Sequence, residues 1–376
     1  MILWLVAIVL ALFFGGGGWY FSDQLKADAF DVKPHVREYR ATVTQVDPGS
    51  VTIAQGDPTD GELFNTGVFG LVWESGYGTV SDISTQTDME ATRTFTLQGG
   101  NPPTIGTKVD IDPWIYPDDY AAALGIEIQR VEYLSPLGAM DAVLVPGTST
   151  TWAVLVHGKN ADPRETIRLG GILSEAGYPV LAITHRNDLD QPGDASGYHR
   201  YGVTEWQDLE GAVDYAFSQG ADEVILGGFS TGAAIVLSFL EHSERAEAVS
   251  GVMLDSPNID FGATVNHVAA RRSLPLIGLP VPPPLTWVAK TIGSFRFDVD
   301  WAAIDYIARA DTLAVPILIL HGVEDQSVPI ETSRELAAMR PDLVTLVEFE
   351  GAKHVQSWNV DQERYRDEVL AFAAEL

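Results

Sequence analysis

Three residues far apart in the chain have side chains that together can activate a hydroxyl group: Ser230, Asp325 and His354. A serine hydroxyl is a poor nucleophile at neutral pH. An adjacent imidazole can take its proton, and a carboxylate can hold that imidazole in the productive tautomer. The setting of Ser230 suits this chemistry. It is the centre of Gly228-Phe229-Ser230-Thr231-Gly232, with an apolar run over 224–226 before it and a helix-like run over 233–240 after it. The pattern predicts strand, sharp turn and helix. So tight a turn strains the serine and brings strand and helix together, which leaves room only for glycine at 228 and 232. It also lifts the hydroxyl off the sheet edge, above a helix N-terminus that favours negative charge.

The base and its orienting acid follow on separate loops. A buried strand over 316–320 leads to His321-Gly322, with Asp325 in the loop beyond. A second strand over 344–349 is followed by Gly351-Ala352-Lys353-His354. Parallel sheets form their sites outside the carboxyl ends of strands, so both loops lie where a site is expected. Glu324 is a neighbouring alternative to Asp325. Asp255, after the strand VSGVML, is another, read mainly as a loop or strand cap. The histidines at 35, 185, 199, 242, 267 and 321 lack a matching context; His185 ends a strand and His199 lies in a polar loop.

The chain resembles the α/β-hydrolase superfamily, whose order of nucleophile, acid and histidine is that of Ser230, Asp325 and His354. HGVEDQSVP resembles the acid loop of that family and GAKH its histidine loop, and the likeness runs from about residue 126 to the end. Within the superfamily the likeness is to microbial serine hydrolases with an N-terminal membrane segment, grouped loosely with acyl-ester hydrolases and prolyl-oligopeptidase-like peptidases. The resemblance implies a mostly parallel sheet flanked by helices and an oxyanion hole. In WAVLVHGKN, the backbone N–H of Lys159 would be one donor of that hole, and the N–H of Thr231 the other. The side chain of His157 is read as organising the loop. The implied reaction is hydrolysis of a carboxylic ester through an acyl-enzyme, on a small-molecule or lipid-like substrate, with no metal or organic cofactor. A peptidase of the prolyl-oligopeptidase type and a non-catalytic binding protein on the same fold are the alternatives.

The remaining sequence must position these groups. With 376 residues, one domain of about 250 residues and a smaller one form the natural division. The net charge of −29, spread without long like-charge blocks, argues against nucleic acid as a partner. The absence of cysteine excludes disulfides, thiolate metal sites and cysteine catalysis. Residues 2–21 carry no charge, roughly the length of a membrane span, with Trp19 and Tyr20 where an interfacial belt would lie. A transmembrane anchor over 1–22 is the expectation; a cleaved signal is disfavoured by the lack of a basic n-region and of a small-x-small site before Asp23. The glycine run from Gly15 is a place for that helix to bend or end. Lys26, Lys33, Arg37 and Arg40 follow the span and would hold the enzyme inside the cell. The resemblance to exported hydrolases places it outside, and that side is adopted.

Residues 23–124 read as a small, mostly β module, and 125–376 as the catalytic domain. Its regular alternation is interrupted over about 258–312, where prolines bar a regular core helix and apolar side chains need cover. A cap over the cleft is expected there, with Leu285 and Trp287 as substrate-binding candidates and an apolar or acyl group in the pocket.

Overall fold

The computed structural model describes residues 2–33, 37–56, 61–115, 121, 125–275 and 277–376, and of residues 2, 3, 5–9 and 61 the backbone alone. His35 and most of 118–125 lie outside them. Among the described residues, fourteen strands form two sheets. The first is a closed antiparallel barrel with the order β1-β2-β5-β4-β3-β6. Its strands are β1 (Ala41–Asp47), β2 (Ser50–Ala54), β3 (Phe69–Trp73), β4 (Gly76–Gln86), β5 (Glu90–Gly100) and β6 (Lys108–Asp112). The Pro48-Gly49 turn joins β1 to β2, and Gly49 takes the positive φ the turn requires. Alternate residues such as Val43, Ile53, Leu71, Val80 and Val109 fill the interior. Arg93 is also fully buried, and its guanidinium donates to the carbonyls of Leu63, Asn65, Gly67 and Ser81. Closing the sheet removes the exposed strand edges that an open sheet would present.

The second sheet has eight strands in the order β14-β13-β12-β11-β9-β10-β8-β7. Strands β7 (Gln129–Ser135) and β8 (Gly138–Val145) form an antiparallel hairpin, and β8 pairs antiparallel with β10 (Val180–Ile183). From there β9 (Thr151–Val156), β11 (Glu223–Phe229), β12 (Val249–Asp255), β13 (Ile317–Gly322) and β14 (Val344–Phe349) run parallel. Their central residues are buried on both faces, which explains the unbroken apolar runs in the sequence. Helices flank them, among them α2 (Ile167–Glu175), α3 (Trp206–Ser218), α4 (Thr231–His242), α7 (Ile330–Met339) and α9 (Gln362–Glu375), the whole forming an α/β-hydrolase fold.

Two expectations about the excursions need correction. The cap region does contain regular helices: α5 (Phe261–Ala270) and α6 (Pro283–Phe297). The prolines do not block α6, because Pro283 occupies its first turn, where a backbone N–H has no helical acceptor to lose. The N-terminal segment runs past the expected bound at residue 22 and packs on the cap. It is one helix, α1 (Ile2–Leu25), and among the described residues no helix is long and apolar enough to cross a membrane. Nor does the glycine run end it. A Cβ at Gly18 would lie 2.5 Å from Val288 and one at Gly17 3.2 Å from Leu285, so these glycines let α1 pack closely on α6. Leu274, Val281, Leu285, Phe14 and Phe21 form the cluster between them. A π-helical turn, Lys26–Phe30, continues from α1. Residues 23–30 therefore belong with α1 and the cap rather than with the β module.

Candidate active site

The turn after β11 has the geometry its glycines predict. Ser230 adopts φ 50° and ψ −112°, a conformation that costs an L-residue on the order of 1–3 kcal/mol. A Cβ at Gly232 would stand 2.2 Å from the carbonyl oxygen of Val156, and one at Gly228 2.7 Å from the Ala233 backbone. Strand β9, strand β11 and helix α4 thus meet at distances that only glycine permits. The Ser230 N–H donates to the Asp255 carbonyl at 2.9 Å, which ties the strained turn to β12.

The two downstream loops bring their side chains to this serine. His354 Nε2 lies 2.8 Å from Ser230 Oγ, and His354 Nδ1 lies 2.7 Å from Asp325 Oδ2. The other Asp325 oxygen accepts from the N–H groups of Ser327 and Val328 at 2.7 and 2.9 Å. Burial alone would raise the Asp325 pKa. The His354 charge and hydrogen bonds from His321 and His354 outweigh it and hold the carboxyl well below the usual range. Burial would lower the imidazole pKa of His354, and the Asp325 charge and hydrogen bond overturn that and raise it. The arrangement can take a proton from Oγ at Nε2 while the carboxylate fixes Nδ1–H. His321, unassigned from sequence, is buried 3.3 Å from the same Asp325 oxygen, and its Nδ1 bonds Ser333 Oγ at 2.8 Å. Asp255 is not in the relay: its carboxyl accepts from Tyr365 at 3.1 Å and Ser256 at 3.2 Å. Burial pushes its pKa up to about 6, against the opposing Arg168 charge and the Tyr365 hydrogen bond.

Lys159 and Thr231 both line the cavity above Ser230. The Thr231 N–H, at the first turn of α4, has no acceptor within the helix. The loop carrying Lys159 is held from below. Gly158 N–H donates to Glu165 Oε2 at 2.6 Å, and His157, fully buried, bonds the Gly158 carbonyl at 2.8 Å and Asp188 at 3.0 Å. Burial opposes charge on His157, but Asp188 raises its pKa to about 9. His185 stacks on His157 with centroids 4.7 Å apart, and ligand-type atoms of His157, His185 and Asp188 lie within 4.8 Å of one another. This group buttresses the loop. His199 bonds Asn160 at 3.0 Å, and burial and then His185 lower its pKa to about 3.

The cavity has a volume of about 470 Å³. Thr264, Val265, Val268, Ala289 and Lys290 of the cap line one side. Leu285 and Trp287, the candidates from sequence, do not. Leu285 is fully buried against α1, and Trp287 is 67% exposed on the outer face of α6. The opposite wall was not foreseen: Phe21, Gln24, Leu25, Asp28 and Ala29 of the N-terminal segment. That segment is bound into the site. The Lys159 ammonium donates to the Asp28 carbonyl, Arg272 pairs with the Asp28 carboxylate, and Tyr201 donates to the Ala29 carbonyl at 2.9 Å. Lys33 N–H donates to Asn160 Oδ1 at 2.7 Å, which clips the chain to the same loop.

Comparisons with known proteins agree with the fold. No family model matches the chain. It is 20% identical over 231 residues to the uncharacterized protein YqkD of Bacillus subtilis, across 61% of this chain and 73% of YqkD. Among solved structures, the esterase Pf2001 of Pyrococcus furiosus superposes with a TM-score of 0.55 at 19% identity, covering 69% of this chain and 97% of the esterase. A second crystal form of that esterase gives 0.53 at 20% identity over 68% and 93%. At these identities the likeness is one of fold. The matched share of this chain is close to the share taken up by the eight-stranded sheet and its helices.

Proposed function

We propose that the protein is a serine hydrolase that cleaves carboxylic esters through an acyl-enzyme. The observation that carries this reading is the unbroken relay from Ser230 Oγ through His354 to Asp325, 2.8 and 2.7 Å, at a strained turn facing a largely apolar cavity. Ser230 attacks the ester carbonyl and His354 takes its proton. Asp325 orients the imidazole and stabilises its charged form. The N–H groups of Lys159 and Thr231 receive the developing oxyanion, each such donor contributing about 3 kcal/mol to the transition state. His354 then returns the proton to the departing alcohol, and water repeats the sequence to release the acid. The apolar walls, α1 on one side and the cap on the other, suit an acyl chain. Labelling with a fluorophosphonate tests the reading. The wild type is expected to label and Ser230→Ala to lose labelling and turnover together, at nearly unchanged thermal midpoint. Equal labelling of the variant places the nucleophile elsewhere.

A further inference from the structure

The barrel packs directly on the loop that carries His354. Asn359 donates to the carbonyls of Val68 and Pro113, both at 2.8 Å, and the Val68 N–H donates back to the Asn359 carbonyl at 2.8 Å. Lys353 Nζ and the Gln356 amide hold the Asn65 side chain at 2.5 and 3.2 Å. A Cβ at Gly67 would stand 2.3 Å from the Asn359 carbonyl oxygen, so glycine is required for this approach. Between barrel and loop lies a second cavity of about 460 Å³. Glu62, Asn65 and Trp114 line it from the barrel, and Glu165, Lys353 and Gln356 from the hydrolase domain. It shares Gln326, Ser327 and His354 with the cavity above Ser230, whereas Ser230 lines only the first.

The chemistry of the relay assigns the two sides. When Ser230 Oγ bonds to the carbonyl carbon, its proton passes to His354 Nε2. When the tetrahedral intermediate collapses, the bond from carbon to the alcohol oxygen breaks and the imidazolium gives that same proton to the departing oxygen. The alcohol therefore leaves on the side of His354. We propose that the cavity between the barrel and the histidine loop is the leaving-group subsite, and that it takes a polar, polyhydroxylated alcohol. This rests on the ester-hydrolase reading above. The two cavities differ in chemistry. The first is walled by Phe21, Leu25, Val265, Val268 and Ala289. The second offers two carboxylates, an ammonium group, side-chain amides and one indole. Hydroxyl groups match such a lining, whereas an alkyl alcohol would strip water from those polar groups and return no hydrogen bond.

Esters of one acid with different alcohols test this, because all of them form the same acyl-enzyme. The subsite then acts on acylation and leaves deacylation alone. The probes are glycerol monobutyrate, ethyl butyrate and p-nitrophenyl butyrate, with the full-length wild type, Glu62→Ala and Gln356→Ala, two residues that line only the second cavity. The wild type is expected to favour the glycerol ester over the ethyl ester by about tenfold or more in kcat/KM. Each variant should lose most of that ratio, while the deacylation rate after the p-nitrophenol burst stays within about twofold of wild type. A role in folding alone would lower all of these together. Equal wild-type rates on the two esters, or a ratio unchanged in both variants, overturn the subsite even when the burst is intact. Absence of any burst or labelling in the wild type defeats the hydrolase reading itself. Should one variant fail to fold, the other and the wild-type ratio still decide.

Discussion

The loops that carry Ser230, Asp325 and His354 are held differently from the walls around them. Each loop leaves a parallel strand buried on both faces, and short backbone bonds join it to its neighbours: Ser230 N–H to the Asp255 carbonyl, Val323 N–H to Phe349, Glu324 N–H to Ala352. The walls are α1, the cap helices and the barrel. They meet through side chains from distant parts of the chain, such as Arg272 with Asp28 or Lys353 with Asn65. On the proposed reading, chemistry stands on a platform of strand ends, and selection of substrate on pieces packed against it. Changes to the platform should scale the rate on every ester alike. Changes to the walls should redistribute rate among esters.

The largest expected effect tests the platform. Asp325→Asn should lower kcat about 10⁴-fold, because the imidazole loses its productive tautomer. The fall should be equal for acetyl and octanoyl esters; a loss confined to long chains would break the comparison. Asp255→Asn, one strand away, should cost less than about tenfold in kcat. Its signature is in stability. Asp255 is buried with its pKa pushed up to about 6, above the unfolded value, so the folded state holds its proton more tightly. Wild-type stability then falls as pH rises through the interval from about 4 to 6, on the order of 1–3 kcal/mol, and the variant should lack that slope. Asp325, depressed in the fold, works in the opposite sense: its contribution is present above the unfolded value and lost as the medium is acidified.

The pH profile of catalysis depends on the same platform. His354 must be neutral to accept the serine proton, and its pKa in the free enzyme is raised above that of an ordinary imidazole. kcat/KM should therefore fall about tenfold per pH unit on the acid side, with the midpoint above 6.5. The stabilising pair with Asp325 is fully formed at low pH, down to the point where the acid itself protonates, and weakens as pH rises through the His354 pKa. An acid limb centred below 6 for both short and long esters would remove Asp325 as the group that sets it.

A wall is tested by Gln24→Trp, which fills the cavity from α1. kcat/KM on an octanoyl p-nitrophenyl ester should fall about tenfold or more, since each methylene denied burial costs roughly fourfold. The acetyl ester should change by less than about twofold. Parallel losses on both would show that α1 supports the fold without touching the acyl chain.

The platform was legible in the sequence because its constraints are local. The glycines at 228 and 232, the apolar strands and the loops after them sit within a few residues of the groups they position. The strand pairs of the barrel were partly legible for the same reason, through Pro48-Gly49 and the alternation of β1 and β2. The walls were not, because their constraints join residues hundreds of positions apart. Gly17 and Gly18 look like helix breakers until Leu285 and Val288 are placed against them. An uncharged helix reads the same whether its apolar side chains meet lipid or a cap. Pairing Asp28 with Arg272, or Asn65 with Lys353, needs the tertiary structure. The one signal available was that glycines within a helix need a close neighbour.

The smallest expected effect concerns Trp287, and it separates lining from mere membership of the cap. A large aromatic residue in an apolar excursion invites a substrate role. Trp287, however, is 67% exposed, while Thr286, Ala289 and Lys290 on the same helix face the cavity. The helical period explains this: at about 100° per residue, 286, 289 and 290 cluster around the direction of 286, and 287 points roughly 100° away from it. Trp287→Ala should therefore leave kcat/KM on acetyl, butyryl and octanoyl esters within about twofold of wild type, with the chain-length profile parallel. Stability should move by no more than about 0.5 kcal/mol, as for other surface substitutions. Ala289→Leu, two residues along and facing inward, should depress the octanoyl rate selectively. If Trp287→Ala were the selective variant and Ala289→Leu the silent one, α6 would present its other face to the substrate, and the division between platform and walls would need a different cap.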